Sequence, residues 1–273
     1  SPIRPLRVGC AIWAHRPWVG TFLPSGTPTN NLLQSYAEHF STVEGNTTFY
    51  ALPSESSVAR WVEHTPSTFR FVFKMPRQVT HELRLRNVDR ELSEFLHRME
   101  PLAERLGPIF VQLPASFGPI DLPVLRGFLD RLPASFPWAV EVRHRDFFAG
   151  GRYEQPLDEM LQSLGVNRVI LDARCVHAGP SNTEQERDEI RSKPQLPVRP
   201  FATASQPIIR FIGQTLSTAN PPFWKAWLPV LRRWRDDGLE PFFFVHTPDN
   251  VASPQLAEQF CEELLHPDSE SSD

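Results

Sequence analysis

One pattern repeats along this chain and constrains its fold more than any other feature. A short apolar run is followed by a polar or charged residue at its C-terminal end, then a loop, then a helical stretch. Apolar runs of strand length occupy residues 7–12, 42–46, 69–74, 109–113, 138–142, 168–172, 207–211 and 242–245. They are continuous rather than alternating, as expected of strands covered on both faces. Helix-period stretches lie at residues 31–39, 56–64, 89–106, 122–132, 156–164, 223–234 and 254–265. In the first, Leu32, Leu33, Tyr36 and Phe40 recur at helical spacing. Punctuation fits: Pro66 stops one helix, Asp89 is placed to cap the next and Gly107 to end it, Gly165 stands at a C-terminal cap, and Pro254 opens the last helix. A charged run at residues 183–193 reads as a surface helix, either a solvated face or a lid.

Strict strand–helix alternation implies right-handed parallel crossovers. Eight such units in 273 residues point to an α/β protein with a TIM-barrel-like (βα)8 barrel. An open doubly wound sheet fits less well, because no GxGxxG follows the first strand and no GxxxxGK occurs anywhere. No domain boundary stands out. The expectation is a single domain over residues 1–266 and an acidic flexible tail at residues 267–273.

In such a barrel the chemistry sits at the C-terminal ends of the strands. Taking the chain in order, those ends carry Trp13, then Glu44 and Asn46, Lys74, Gln112, Glu141 with Arg143, Asp172, Arg210 and His246. A carboxylate on a short apolar strand is costly to bury unless it is partnered. A ring of acids and bases from different strands is therefore read as an acid–base site with cationic arms, against the alternative of a salt-bridged plug. Glu141 and Asp172 end neighbouring strands in the expected order, and like charges held close drive one carboxyl toward its protonated form. Lys74 is placed to neutralise Glu44, to bind an anion or to form a Schiff base. Arg143 and Arg210 offer planar forks suited to carboxylate or phosphate. Aromatic side chains in the loops, Phe49, Tyr50, Trp18, Phe147 and Phe148 among them, cap the core or wall a sugar or base.

Composition narrows the partners. The net charge of −4 argues against a dominant nucleic-acid surface, without excluding a local basic site. No apolar run approaches a membrane span, so no membrane partner is expected. Cys10, Cys175 and Cys261 are widely spaced and form no CxxC, and the opening SPIRPLRVGC is unlike a secretory signal. Both suggest a reducing, cytoplasmic setting with no disulfide framework, the buried cysteines serving as small core residues. No HExxH, HxH or cysteine cluster signals a metal, although Glu44, Glu141 and Asp172 with His144 or His246 offer donors for one divalent ion. No cofactor is named by any motif.

Together the segments VEGNTTFYALP at residues 43–53, FRFVFKMPRQVTH at 69–81, LGPIFVQLPASF at 106–117 and AVEVRH at 139–144 make the chain resemble the YecE-like family, a domain of unknown function, over residues 7–265. The resemblance implies a TIM-barrel-like fold with polar strand ends in a common cleft. Its matching positions here are Glu44, Asn46, Tyr50, Lys74, His81, Gln112, Glu141, Arg143, Asp172 and Arg210. The chain departs from the family pattern in five places. Ile12 stands where the family has Gly after strand one, Leu23 replaces a usual Tyr, and Phe147 a usual Trp. Ile212 occupies a histidine position after strand seven, and Val245-His246-Thr247 replaces an FNN after strand eight.

The leading functional expectation is an enzyme, a hydrolase or isomerase, acting on a small anionic substrate such as a phosphorylated sugar or a nucleotide-like compound. Glu44, Lys74, Glu141 and Asp172 would do the acid–base work. Trp13, Asn46, Tyr50, His81, Gln112, Arg143, Arg210 and His246 would bind. A metal-dependent phosphodiester hydrolase and a non-catalytic ligand-binding barrel stay open as alternatives.

Overall fold

A computed structural model of the protein describes residues 5–267. Apart from Pro267, the expected acidic tail lies outside the described residues. The strands are β1 (Arg7–Cys10), β2 (Thr42–Gly45), β3 (Arg70–Phe73), β4 (Ile109–Gln112), β5 (Trp138–Glu141), β6 (Asn167–Asp172), β7 (Ile208–Ile212) and β8 (Phe242–His246). All fall on the apolar runs, and nearly every side chain in them is buried. The fold is mixed α/β with parallel strand pairing, the class expected. Among the described residues no helix is long and apolar enough to cross a membrane.

The chain divides into two compact units. The first comprises the described residues up to Val43, Ile170–Pro200, and those from Ile208 onward. In it β1, β8 and β7 pair in parallel, with Val8 opposite Phe243 and Arg210 opposite Phe244. The Tyr36 hydroxyl ties β1 to the start of β2: it accepts the Cys10 N–H and donates to the Thr42 carbonyl, both at 2.8 Å. That crossing is so tight that a Cβ on Gly9 would stand 2.2 Å from the Thr42 oxygen, so only glycine fits there. The last helix, Ser253–Leu265, lays Phe260 flat on Phe243 with ring centroids 3.9 Å apart.

The second unit comprises Glu44–Val169 and Phe201–Pro207. Its β4 and β5 run in parallel register from Ile109 opposite Trp138 to Gln112 opposite Glu141. Ala139 and Val140 of β5 face Asn167 and Arg168 at the start of β6. Bridges at Phe71–Leu106 and Lys74–Phe110 join β3 to the β4 side, and the Lys74 N–H donates to the Gly45 carbonyl at 3.0 Å. On the outer face of β3, Phe71 and Phe73 stack beneath Trp61 of the helix Glu55–Glu63. Strand alternation therefore turns Val72 and Lys74 to the opposite face. Within β6, Arg168 is buried against Asp158 at 2.8 Å and donates to the Phe147 carbonyl, a structural use of charge remote from the strand's C-terminal end.

Two helices break where the sequence suggests continuity, both at proline. The stretch expected over residues 89–106 is α-helical only as Asp89–Met99. A 3-10 turn, Glu100–Arg105, follows, with Ala103 at φ 48°. Pro101 has no N–H to continue the ladder, and its ring collides with the carbonyl four residues back. Asp89 sits in the first turn, behind Val88 as the cap residue. Pro229 has the same effect on the expected helix over residues 223–234, which appears as Pro221–Trp224 and Trp227–Asp236. Gly165 does cap its helix, at φ 65°. The charged run forms the helix Glu184–Ser192, opened by a Thr183–Glu186 capping box. It is largely solvated, with Ile190 packed onto the cluster of Leu171, Ala173, Val176 and Ile212.

Candidate functional site

In the second unit the strand ends gather most of the expected residues. Glu44, fully buried at the end of β2, accepts the Asn46 side-chain N–H at 2.7 Å. The chain then makes one helical turn, Thr47–Tyr50, pinned by the Thr48 hydroxyl donating to the Lys74 carbonyl at 2.7 Å. That turn sets Phe49 beside Lys74, whose ammonium lies 4.7 Å from the Phe49 ring centre and 5.6 Å from that of Phe110. Phe110 and Gln112 alternate on one face of β4, and Gln112 stands opposite Glu141. Glu141 is 1 % exposed and takes the Arg143 Nε–H at 2.8 Å. Tyr50, by contrast, is 78 % exposed and lines an adjoining groove of about 240 Å³, which shares Phe49 and Arg77 with the cluster and adds Glu82, Glu91 and Glu94.

His81 reaches the cluster from an unusual element. Residues Gln78–Glu82 form a π-helical turn, closed by the Leu83 N–H on the Gln78 carbonyl at 2.9 Å. Such wide turns favour functional sites. Arg84, Leu85 and Asn87 follow with positive φ, an irregular backbone stretch. The His81 ring meets Phe49 edge-on at 5.1 Å, and its Nδ1 lies 2.8 Å from the hydroxyl of the buried Thr80. Burial pushes its pKa down, and the positive charges of Arg77, Arg143, Lys74 and Arg84 push it further, to about 4. The imidazole is neutral at ordinary pH, in a region of concentrated positive potential. Gln112 adds a second asymmetry. It is 6 % exposed, and its buried Oε1 has no hydrogen-bond partner among the described residues.

The first unit treats its strand ends differently. Asp172, fully buried at the end of β6, receives Arg174 on both oxygens, Nε–H at 2.9 Å and Nη2–H at 2.8 Å. The Arg174 backbone N–H at 3.2 Å and the Trp227 indole N–H at 2.8 Å complete the set. Four donors occupy a carboxylate with about four acceptor sites. Beyond β7, the fully buried Asn220 accepts the Gln214 N–H at 2.9 Å and donates to the Gln214 and Leu216 carbonyls. Gln214 in turn donates to the Cys175 carbonyl at 2.8 Å. Arg210 is 1 % exposed on β7, His246 is buried at the end of β8, and Trp13 is half-buried after β1.

Arg174 and Trp227 went unforeseen. The acid-x-Arg spacing of Glu141–Arg143 recurs at Asp172–Arg174, which was the available signal, whereas Trp227 was hidden in an apolar helical stripe. Arg77 and Arg84 looked like ordinary loop charges. The family departures sort physically: Leu23 and Phe147 are core residues, and Ile212 lies in an apolar cluster. Cys10 and Cys175 are buried, and burial raises both thiols, Cys175 to about 12, which disfavours the nucleophilic thiolate. Among the described residues, no group of three or more His, Cys, Asp or Glu side chains is gathered for a metal.

Parallel α/β pairing with polar strand ends defines a class shared with known proteins. The family described as "Protein of unknown function DUF72" matches residues 7–272, and this chain belongs to that family. It is 46 % identical over 257 residues to the UPF0759 protein YecE of Escherichia coli K12, covering 94 % of this chain and 92 % of that protein. A UPF0759 protein of Bacillus subtilis, YunF, is 28 % identical over 145 residues, about half of each chain. Among solved structures, a DUF72 family protein of Thermotoga maritima superposes with a TM-score of 0.69 at 22 % identity, covering 95 % of this chain and 99 % of that one. A DUF72 family protein of Enterococcus faecalis gives 0.70 at 19 % identity, over 98 % and 97 % of the two chains. At these identities the structural likeness concerns the fold.

Proposed function

We propose that the strand-end cluster of the second unit binds a small phosphorylated, hydroxyl-bearing compound and transforms it by acid–base chemistry. The observation carrying this reading is the concentration of Lys74, Arg77, Arg84 and Arg143 around a neutral His81. Burial is the larger cause of the depressed imidazole basicity; the cationic part of it is a field that also favours an anion in the same place. The buried Gln112 oxygen adds a demand of its own: an acceptor without a donor is costly to keep, and a substrate hydroxyl or amine would satisfy it. A phosphorylated sugar supplies both groups, and a nucleotide-like compound is the close second.

Glu141 and Glu44 are the proton-transfer carboxylates in this reading, and Lys74 is the anion-binding cation. Asn46 orients Glu44, Arg143 orients Glu141, and Tyr50 borders the neighbouring groove. Asp172 is reassigned: with both oxygens engaged by Arg174 and Trp227, it positions Arg174 rather than moving a proton. Arg210, His246 and Trp13 are candidates for anion and ring contacts within their own unit. The parallel pairings inside each unit support the finer fold expectation, eight strands closing as a (βα)8 barrel. Metal-assisted phosphodiester cleavage is the weaker alternative, lacking a gathered donor set among the described residues.

Calorimetric titration with a panel of sugar phosphates, each beside its dephosphorylated parent, tests the reading. Phosphorylated compounds should bind and their parents should not. Equal binding of the parents, or none by any phosphorylated compound, would overturn it. Turnover of a bound compound that is lost in Glu141→Gln with binding retained identifies an enzyme. Binding without turnover in the unaltered protein identifies a ligand-holding barrel instead.

A further inference from the structure

His81 has the surroundings of a base rather than of a simple binding group. Its ring is fixed by the Phe49 edge at 5.1 Å, and Nδ1 is engaged by the Thr80 hydroxyl at 2.8 Å. When Nδ1–H donates to Thr80, the Nε2 lone pair is left without a protein donor among the described residues. Lys74 covers the face of the same Phe49 ring at 4.7 Å, so ammonium and imidazole share one aromatic side chain. The charged groups facing His81 come from three segments. Lys74 stands at the end of β3, Arg143 follows β5 and is paired to Glu141 at 2.8 Å, and Arg77 and Arg84 lie beside the wide turn and on its continuation, paired to Glu82 at 3.9 Å and to Asp121 at 3.3 Å.

From this arrangement we infer that His81 Nε2 is a further proton acceptor of the site, beside the carboxylates Glu44 and Glu141, and that the substrate's own anionic group increases its basicity on binding. The inference rests on the anion-binding reading above. Without a ligand, burial first and the surrounding cations second hold the imidazole unprotonated and weakly basic, with a pKa of about 4. An anion seated among them cancels part of their field, which moves the imidazole toward the range where a base works well at neutral pH. The transferred proton goes to Nε2, and the electron pair of the broken C–H or O–H bond stays on the substrate. The base is thus weak in the empty protein and competent only beside its substrate's charge.

The test is a histidine-selective NMR titration of the whole protein with and without sulfate, a dianion that does not itself titrate between pH 3 and 9. His81 is assigned by its loss in His81→Gln. Its midpoint should lie near pH 4 without sulfate and rise by at least about one pH unit at saturation. In Lys74→Met, sulfate should bind more weakly and the rise at a given concentration should shrink. Sulfate binding by calorimetry with an unmoved His81 midpoint would overturn the inference and leave the anion site standing. No sulfate binding at all would overturn both. A His81 midpoint near 6.5 in the free protein would remove the electrostatic premise.

Discussion

The two units use the same short motif to opposite ends. Glu141-Val142-Arg143 closes β5 in the second unit, and Asp172-Ala173-Arg174 closes β6 in the first. At Asp172 the arginine, its own backbone N–H and Trp227 all converge on one carboxylate. The neighbouring turn is laced by Asn220 in the same self-contained way. Around Glu141 the chain leaves a buried acceptor open on Gln112 and crowds cations about a neutral imidazole. One carboxylate has its acceptor capacity filled, and the other stands beside a glutamine oxygen still lacking a donor among the described residues. Polar residues at strand ends are therefore not equivalent evidence of a site. What matters is whether their hydrogen-bonding capacity has already been used.

Substitutions can break that contrast, the largest effect coming first. Asp172→Asn sets an amide donor against Arg174 and Trp227, and should cost about 3 kcal/mol of stability, read from the denaturant midpoint. A change below the scatter of ordinary surface substitutions would show that the network is not structural. Asn220→Ala should cost about 2 kcal/mol, because it removes the fully buried amide that holds the part-buried Gln214 N–H and two carbonyls. Lys74→Met, which keeps the apolar stem over Phe49 and Phe110, should weaken binding of a phosphorylated ligand by about tenfold or more, while stability changes by less than about 1 kcal/mol. Binding that survives this change would move the anion elsewhere. Gln112→Leu sharpens the contrast through its sign. It should gain about 1 kcal/mol of stability by removing an unsatisfied oxygen, and lose affinity for hydroxyl-bearing ligands over plain anions.

A pH dependence comes last, because the His81 ring is only half-buried and solvent screens its contribution. His81 in the folded protein binds a proton only near pH 4, whereas in the unfolded chain it does so near 6.5. Between those values the unfolded state carries the extra proton, so stability falls as pH drops from about 6.5 to about 4 and the contribution then levels off. His81→Gln should flatten that segment of the stability–pH profile. An unchanged slope would mean that other groups set it.

The strands were readable because each is a continuous apolar run, and the polar residue ending each run was readable for the same reason. Helix continuity was misjudged at Pro101 and Pro229, where periodic apolar residues outweighed the missing N–H. The site was legible as a set of residue types and not as a set of bonds. That the acceptor capacity of Asp172 is filled depends on Trp227, fifty-five positions away. The wide turn Gln78–Glu82 leaves no mark in composition, and the loop charges Arg77 and Arg84 resemble any solvated pair.

That wide turn makes the placement of His81 a matter of chain length. A π turn encloses one residue more than an α turn, so the segment 78–82 behaves like an insertion kept in place. Deleting one residue of the turn, such as Gln78, would let the backbone relax toward ordinary helical winding and re-aim the side chains inside the turn, His81 among them. The imidazole would leave the Phe49 edge and the Thr80 hydroxyl while every chemically active residue remained in the sequence. Loss of function by deletion, with every candidate site residue still in the sequence, is the genetic signature this geometry leads one to look for.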